Sequence, residues 1–280
     1  MVTDVTIEGT RQDRHVTALV LANGDFVETD EADCIYLTLG SMTDGSVVGT
    51  NDSAPSLVDQ EGGAWALWRR LAENHEGFGH PEVFCGDTSK TTWHSFTVTL
   101  DGPDFFEFME DFSNNRTGTG GLITFADSDW TLSFVLFHQP HFRGQKQGTY
   151  TFWGYGLRGD RPGNFVKKPM WEATGDEIIA ELAGHLGLTD VQRRWFDGAR
   201  VLPCRMPYIT SQFMARRPGD RPDVLPVGAR NFAIIGQYCE LPRDCVFTVE
   251  YSVRSARMAV AGLTGRVDQP PPVARTDLDP

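Results

Sequence analysis

The sequence has no apolar run long enough to span a bilayer as a helix, and no secretory leader is expected before its first strand. Its five cysteines (Cys34, Cys85, Cys204, Cys239, Cys245) are odd in number, scattered, and never spaced as CxxC. That pattern indicates neither a zinc site nor a disulfide framework. Reduced thiols in a cytoplasmic protein are the simplest reading, and the two N-x-S/T sequons then carry no weight. Basic residues are few: 25 Lys and Arg stand against 38 Asp and Glu, a net charge of −13. Such a surface repels a phosphate backbone, so nucleic acid is not expected as a partner. Peripheral membrane contact would require a local basic or apolar patch. No Walker A sequence, GxSxG elbow or HExxH pair occurs.

What is present suffices for one large domain or two modest ones, with 280 residues of which 40% are hydrophobic. The chain opens with β-structure. Val2–Ile7 alternates, Val16–Leu21 and Phe26–Thr29 flank the hairpin signal Asn23-Gly24, and Cys34–Leu39 is a short apolar strand ending at Gly40. Three strands with no βαβ unit before them read as a chain that begins inside a larger assembly. Residues 41–56 have loop composition. Helices are expected at Ala64–Glu73, with Trp65 and Trp68 on one face, at Pro103–Phe112, and from the capping box Thr174-Gly-Asp-Glu177 to about Leu186. The last of these buries Ile178, Ile179, Leu182 and Leu186. Thr189–Gln192 repeats the capping signal. Strands are expected at Ser95–Leu100, Leu122–Phe125, Trp130–Phe137 and Tyr150–Tyr155, a loop-rich stretch at 203–226, and an extended tail at 266–280.

Several local motifs admit two readings. Gly154-Tyr-Gly156-Leu-Arg-Gly159 matches GxGxxG after a strand, but Asp160-Arg-Pro-Gly163 follows and cannot open a helix, so a β-turn is preferred to a dinucleotide loop. His138-Gln139-Pro140-His141 pairs two imidazoles without a third metal ligand. His141 either donates to a ligand carboxylate, or acts as a general acid, or is satisfied locally at a loop–strand junction. Asp127-Ser-Asp-Trp130 reads as a self-bonded turn. Lys167-Lys168 and Arg216-Arg217 are small basic spots, solvated by default. The aromatic density of residues 93–153 means core, or else an apolar channel for a long ligand.

The richest segment is Asn231–Ala256, NFAIIGQYCELPRDCVFTVEYSVRSA. An apolar strand, Phe232–Ile235, runs into Gly236-Gln237. A loop with Glu240 follows, and Phe247-Thr248 opens a helix with Glu250 in its first turn. A strand, a glycine and a helix N-terminus form a corner that favours anions and carbonyl groups. It reads either as a seat for the pyrimidine edge of a flavin or as an ordinary strand–loop–helix packing unit.

Collinear segments over nearly the whole chain resemble the oleate hydratase (myosin-cross-reactive antigen) family. They are LTLGSMTDGS (37–46), WALWRRLA (65–72), GTGGLITFADSDWTLSF (118–134), HQPHFRGQ (138–145), FWGYGLRGDRPGNFVKKPM (152–170), TGDEIIAEL (174–182) and MPYITSQFMAR (206–216). The resemblance implies an α/β (α+β) fold, the C-terminal part of a two-part FAD-binding flavoprotein scaffold with a mixed β-sheet substrate domain. Residues 1–56 and 226–265 would belong to the FAD-binding part and 57–225 to the lipid channel. It implies a hydro-lyase that adds water to the cis double bond of an unsaturated long-chain fatty acid, with FAD bound and no net redox change.

Position by position, Gly40, Ser41 and Met42 look like the flavin-side loop. Gly236, Gln237 and Glu240 look like the flavin-contacting turn, and Phe247 and Thr248 like the helix start beneath the ring. Gln139 and His141 fall near the fatty-acid carboxylate. There the family pattern has Thr and Asn where this chain has Val135 and Phe137, and each lost charge-assisted hydrogen bond is worth roughly 1.5–3 kcal/mol. The glycine-rich FAD fingerprint, and the acid and tyrosine expected to perform hydration, would lie upstream of Met1. The chain is therefore expected to be an N-terminally truncated hydratase, or the C-terminal subunit of a split flavoenzyme, or a non-catalytic fatty-acid-binding module. The partners considered are an unsaturated fatty acid, a separate N-terminal FAD-binding half, and a second copy of the chain as a homodimer.

Overall fold

Apolar alternation over the first twenty residues pairs into a hairpin, because successive side chains of a strand point to opposite faces. In the computed structural model, which describes residues 1–56, 62–246, 248–266 and 268–273, β1 (Val2–Thr10), β2 (Asp13–Leu21) and β3 (Phe26–Glu28) form an antiparallel sheet in that order. Two further strands, β4 (Ile35–Thr38) and β11 (Phe232–Ile235), pair in parallel although almost two hundred residues separate them. The remaining strands form a six-stranded sheet in the order β5-β10-β6-β9-β8-β7. They are β5 (Val47–Val48), β6 (Trp93–Asp101), β7 (Leu122–Thr124), β8 (Leu132–Leu136), β9 (Thr149–Gly156) and β10 (Arg200–Met206). The helices are α1 (Gly63–Asn74), α2 (Glu82–Cys85), α3 (Asp104–Ser113), α4 (Gly175–His185), α5 (Asp190–Arg193) and α6 (Val249–Thr264). None of them is long and apolar enough to cross a membrane.

Two compact units result, each with its own core. The first comprises the described residues of Met1–Asp44, Gln60–Thr91 and Tyr208–Pro280. It buries the Trp65, Trp68 and Leu71 stripe of α1 with Phe78, Phe84, Phe232, Ile234, Tyr238 and Tyr251. The Trp65 and Trp68 indoles stack at 5.8 Å, and Trp68 donates its N–H to the Phe78 carbonyl at 2.6 Å. The second unit comprises the described residues of Gly45–Asp59 and Thr92–Pro207. Its core joins Phe96, Val98, Phe134 and Phe152 of the sheet to Phe105 and Met109 of α3 and Ile178 and Leu182 of α4.

Two sequence readings change. Residues 62–91 and 208–225 pack with the first unit, whereas the sequence reading assigned 57–225 to one segment. The reason is the aromatic face of α1, which finds its apolar partners in β4, β11 and α6 rather than in the six-stranded sheet. That sheet is antiparallel at every pairing, not mixed. Its strands alternate between a core face and an open face, as antiparallel strands do. Strand β10 lies partly in the stretch read as loop, because Pro203 masks it. Its ladder pairs Leu202 with Thr97 and Cys204 with Ser95.

The expected capping box of α4 is formed: the Thr174 hydroxyl accepts from the Glu177 N–H, and the Glu177 carboxylate accepts from the Thr174 N–H. The GxGxxG match is a strand end followed by a turn, and a side chain at Gly154 would lie 2.4 Å from the Phe96 ring. Of the tail 266–280, residue 266 and residues 268–273 are described and carry no regular secondary structure.

Candidate functional site

The parallel pair β4 and β11 places two glycine turns side by side. In parallel α/β sheets ligands bind beyond the carboxyl ends of the strands, where the chain turns away and leaves a crevice. Beyond Thr38 and Leu39 comes Gly40 with φ +64°, and beyond Ile235 comes Gly236 with φ +99°. Both angles lie in the left-handed region that glycine enters without steric cost. A side chain at Gly40 would also come 2.9 Å from the Tyr238 ring and 3.0 Å from the Trp65 indole. The two turns border a cleft of about 260 Å³ lined by Thr38, Gly40, Ser41, Met42, Thr43, Gly236, Gln237, Tyr238 and Ser252. Five positions named from the sequence therefore meet in one place: Gly40, Ser41, Met42, Gly236 and Gln237.

Helix α6 supports the cleft from below. Its Ser255 hydroxyl accepts the Gly236 N–H at 3.0 Å and donates to the Ser252 carbonyl at 2.7 Å, which locks the glycine turn to the helix. Thr248 is the N-cap of α6, with no side-chain cap bond, and Glu250 lies in the first turn. Ser252, one turn inside the helix, reaches the cleft, and sequence reasoning missed it because a serine in a helix carries no distinctive signal. Phe247 lies outside the described residues. Tyr238 closes the cleft wall. Burial first, with the nearby Cys85 in the same direction, outweighs its bond to Ser211 and the nearby Arg221, and pushes its phenol up to about 12. It therefore stays a neutral hydroxyl.

One residue of the cleft wall carries a buried polar atom without a protein partner. Gln237 Oε1 is buried and accepts no hydrogen bond among the described residues. A buried amide oxygen without a donor is costly, by about 1–3 kcal/mol, so the site suits a ligand that presents an N–H or O–H there. The edge of a flavin ring carries such a group, and the concave, glycine-lined wall admits a flat ring. These residues fit the group. Glu240 does not join them. Its carboxylate forms a two-pronged ion pair with Arg216 at 2.6 and 2.9 Å, and its N–H donates to Pro222. It fastens the 216–223 loop instead of facing the cleft, because an arginine already stands within reach.

The second unit holds the other predicted group. Val135 lies on β8 opposite Trp153 and Leu122, on the face away from the core, and Phe137 follows just past the end of that strand. Trp93, Trp153 and Tyr155 cluster on that same face, with ring centroids 4.6–6.0 Å apart. The aromatic density thus divides: Phe96, Phe134 and Phe152 go to the core, and two tryptophans and a tyrosine go to the opposite face. His141 is exposed and stacks face to face on Phe137 at 3.9 Å with an interplanar angle of 11°. Gln139 is fully engaged within the loop. Its amide N–H groups donate to the Phe137 and Thr151 carbonyls, and its oxygen accepts from Thr151 N–H and Gln145. It shapes the loop and has no free group for a ligand, so the structure does not support it as a ligand contact.

Comparison with known proteins identifies the family. A profile described as the MCRA family matches residues 1–261. An oleate hydratase of Streptococcus pyogenes serotype M49 (strain NZ131) is 38% identical over 274 residues, covering 92% of this chain and 46% of that protein. A linoleate hydratase of Lactiplantibacillus plantarum is 32% identical over 289 residues, covering 95% of this chain and 51% of that protein. The chain spans about half the length of these curated relatives. The resemblance read from the sequence is borne out.

Proposed function

The chain belongs to the MCRA family, and on that premise we propose that it forms part of a flavin-dependent fatty acid hydratase. In this reading the unit built on β4 and β11 carries the flavin edge of the two-part FAD-binding scaffold, and the open face of the six-stranded sheet carries the alkyl chain. The reaction adds H to one carbon of a cis double bond and OH from the same water to the other, so atoms and electrons balance without an oxidant. The flavin, when bound, would be held at the Gly40 and Gly236 turns and would end the reaction in the oxidation state in which it began.

The observation that carries the proposal is the cleft between the Gly40 and Gly236 turns, whose wall residue Gln237 has a buried, unpartnered Oε1. Gln237 would accept a hydrogen bond from the flavin edge. The two glycine turns keep side chains out of the ring's plane, and the N-terminal end of α6 adds partial positive charge near it. Trp93, Trp153 and Val135 offer the apolar contact that a long acyl chain needs. His141, exposed on the Phe137 ring, is a polar group there that can meet a carboxylate, whereas Val135 and Phe137 have no donor. The groups that move the proton onto carbon and activate water are not assigned to this chain.

A flavin titration tests the reading. The chain alone should bind FAD weakly, because only the ring edge is held. Together with the portion of the Streptococcus pyogenes relative that it does not match, it should give a structured flavin spectrum and convert oleate to a product 18 mass units heavier. Gly236→Val should abolish the spectrum, and Gln237→Leu should weaken binding about tenfold or more, one charge-free hydrogen bond being worth about 1 kcal/mol and a buried orphan donor somewhat more. A Gly236→Val protein that binds flavin normally would overturn the site.

A further inference from the structure

We propose that Arg205 and His94, at one end of the six-stranded sheet, form a binding site for a small oxyanion, a carboxylate or a phosphate group, with Trp171 as its wall. The register places the pair. Side chains directly opposite one another on neighbouring strands line up in rows across one face of a sheet. On the core face one row is Val201, Val98, Phe152 and Leu136, and the next is Pro203, Phe96, Gly154 and Phe134. Both rows are apolar, as a core face requires. The third row is Arg205, His94, Gly156 and Leu132. Two basic side chains therefore stand where the pattern asks for apolar ones, and departures of this kind gather at functional sites.

The protein satisfies neither basic group. His94 is 4% exposed, and its Nε2 is buried with no hydrogen-bond partner among the described residues. The Arg205 Nε is likewise buried and unpartnered, and among the described residues the guanidinium forms no ion pair. Its contact is the Trp171 ring, whose centroid lies 4.8 Å from the guanidinium carbon. The same indole meets the His94 ring in a T-shaped contact at 5.7 Å. Trp171 belongs to the 3-10 turn Met170–Glu172, and its main-chain N–H donates to the Gly159 carbonyl at 3.4 Å. Gly159 in turn closes over the imidazole, since a side chain there would come 2.4 Å from Nδ1. This packing holds the imidazole and the guanidinium against one indole.

The chemistry of the pair selects the ligand. A guanidinium presents a planar fork of donors that matches two oxygens of a carboxylate or phosphate. A protonated imidazole beside it adds one more N–H. Without an anion, burial first and then Arg205 hold the imidazole down at about 4, with Asp160 acting the other way. Burial also lowers Arg205, against the pull of Glu172. Asp160 and Glu172 are exposed, and Glu172 accepts instead from the Trp171 indole N–H at 3.3 Å. An oxyanion that accepts from both bases replaces their repulsion by two attractions, and His94 then takes a proton from solvent. Arg205 is half-buried, so the anion enters past the guanidinium. The site lies on the opposite side of the sheet from Val135 and Trp153, and it does not depend on the hydratase reading.

The test follows the ring nitrogens of the histidine-labelled chain by nuclear magnetic resonance, with His94→Gln assigning the His94 signals. Sodium sulfate stands in for a phosphate group, acetate for a carboxylate, and chloride at equal ionic strength is the control. Sulfate, acetate or both should shift the His94 Nε2 signal to saturation, and chloride should not. The tighter of the two identifies the class of anion. At saturation the His94 titration midpoint should rise by about one pH unit or more, and by reciprocity binding should tighten about twofold or more between about pH 7 and pH 5. Arg205→Gln should abolish the saturable shift. Arg205→Lys, which keeps the charge without the fork, should weaken binding about tenfold. In the unaltered chain the Arg205 Nε–H should exchange more slowly once the anion is bound, which checks the site without any variant. The proposal is overturned by a His94 signal unmoved by tens of millimolar sulfate and acetate, by a shift that survives Arg205→Gln, or by an Arg205 Nε–H whose exchange does not change.

Discussion

Glu181 has no solvent exposure, yet it organises a whole loop of the second unit. Its carboxylate accepts the N–H groups of Asn164, Phe165 and Val166 at 2.7–2.9 Å and lies 3.2 Å from His185 Nε2. A buried carboxylate is tolerable only when its lone pairs are met in this way. Glu181→Ala leaves three part-buried donors without their acceptor, at about 1 kcal/mol each. We expect a loss of about 3 kcal/mol or more in urea unfolding, and a loss below 1 kcal/mol would contradict this role. Nothing in the local pattern Ala180-Glu181-Leu182 announces it, because the donors come from a loop some fifteen residues away. Gln237 is the converse case. Its position was legible from the strand–glycine signal, but its unmet oxygen is visible only once Gly40 and Tyr238 stand beside it.

Among the elements, two helix starts make opposite use of the same residue type. Thr174 closes a complete capping box on α4, whereas Thr248 begins α6 without a side-chain cap bond. Thr174→Ala should cost about 1 kcal/mol and Thr248→Ala only a few tenths, since only the first removes a hydrogen bond. Thermal denaturation of the two variants checks the contrast, and equal losses would contradict it. Elements with strong local signals were readable. Strand β11 occupies the expected residues, and α1, α3 and α4 begin and end within about two residues of their sequence signals. Strands β5 and β10 were not readable, because a two-residue edge strand has no period and Pro203 argues against a strand until its neighbours Phe96 and Ser95 are seen to hold it. Helix α5 shows the limit of a cap signal. Its capping box forms, but the helix lasts a single turn before a 3-10 turn takes over at Arg194–Phe196.

For the molecule as a whole, acid stability should carry the signature of one buried histidine. His94 is 4% exposed on β6, opposite Arg205, and burial, reinforced by that guanidinium, pushes its imidazole down to about 4. The unfolded chain holds the His94 proton up to about pH 6.5, so between 6.5 and 4 the unfolded state binds more protons than the folded one. Stability from this source is therefore full above pH 6.5 and is lost as pH falls toward 4, by about 3 kcal/mol in total. A His94→Gln variant should show a flatter loss of stability across that window in urea titrations at stepped pH. An identical slope would remove His94 as the cause. The net charge of −13 is a separate property of the surface, and it sets solubility and partner preference rather than the fold.

Local chemistry determined much of this protein by itself: the β-rich start, the amphipathic helices, the capping boxes, the rejection of the GxGxxG match and the family resemblance. Each of these depends on residues a few positions apart, or on an order of segments that survives without coordinates. Only the tertiary structure decided that β4 and β11 lie side by side, that α1 joins their unit, and that Glu240 is spent on Arg216. It also decided that Val135 shares a face with Trp153, and that Arg205 stands opposite His94. These are contacts between residues far apart in the chain, and their free energy comes from burial and from hydrogen bonds that no local window of sequence contains.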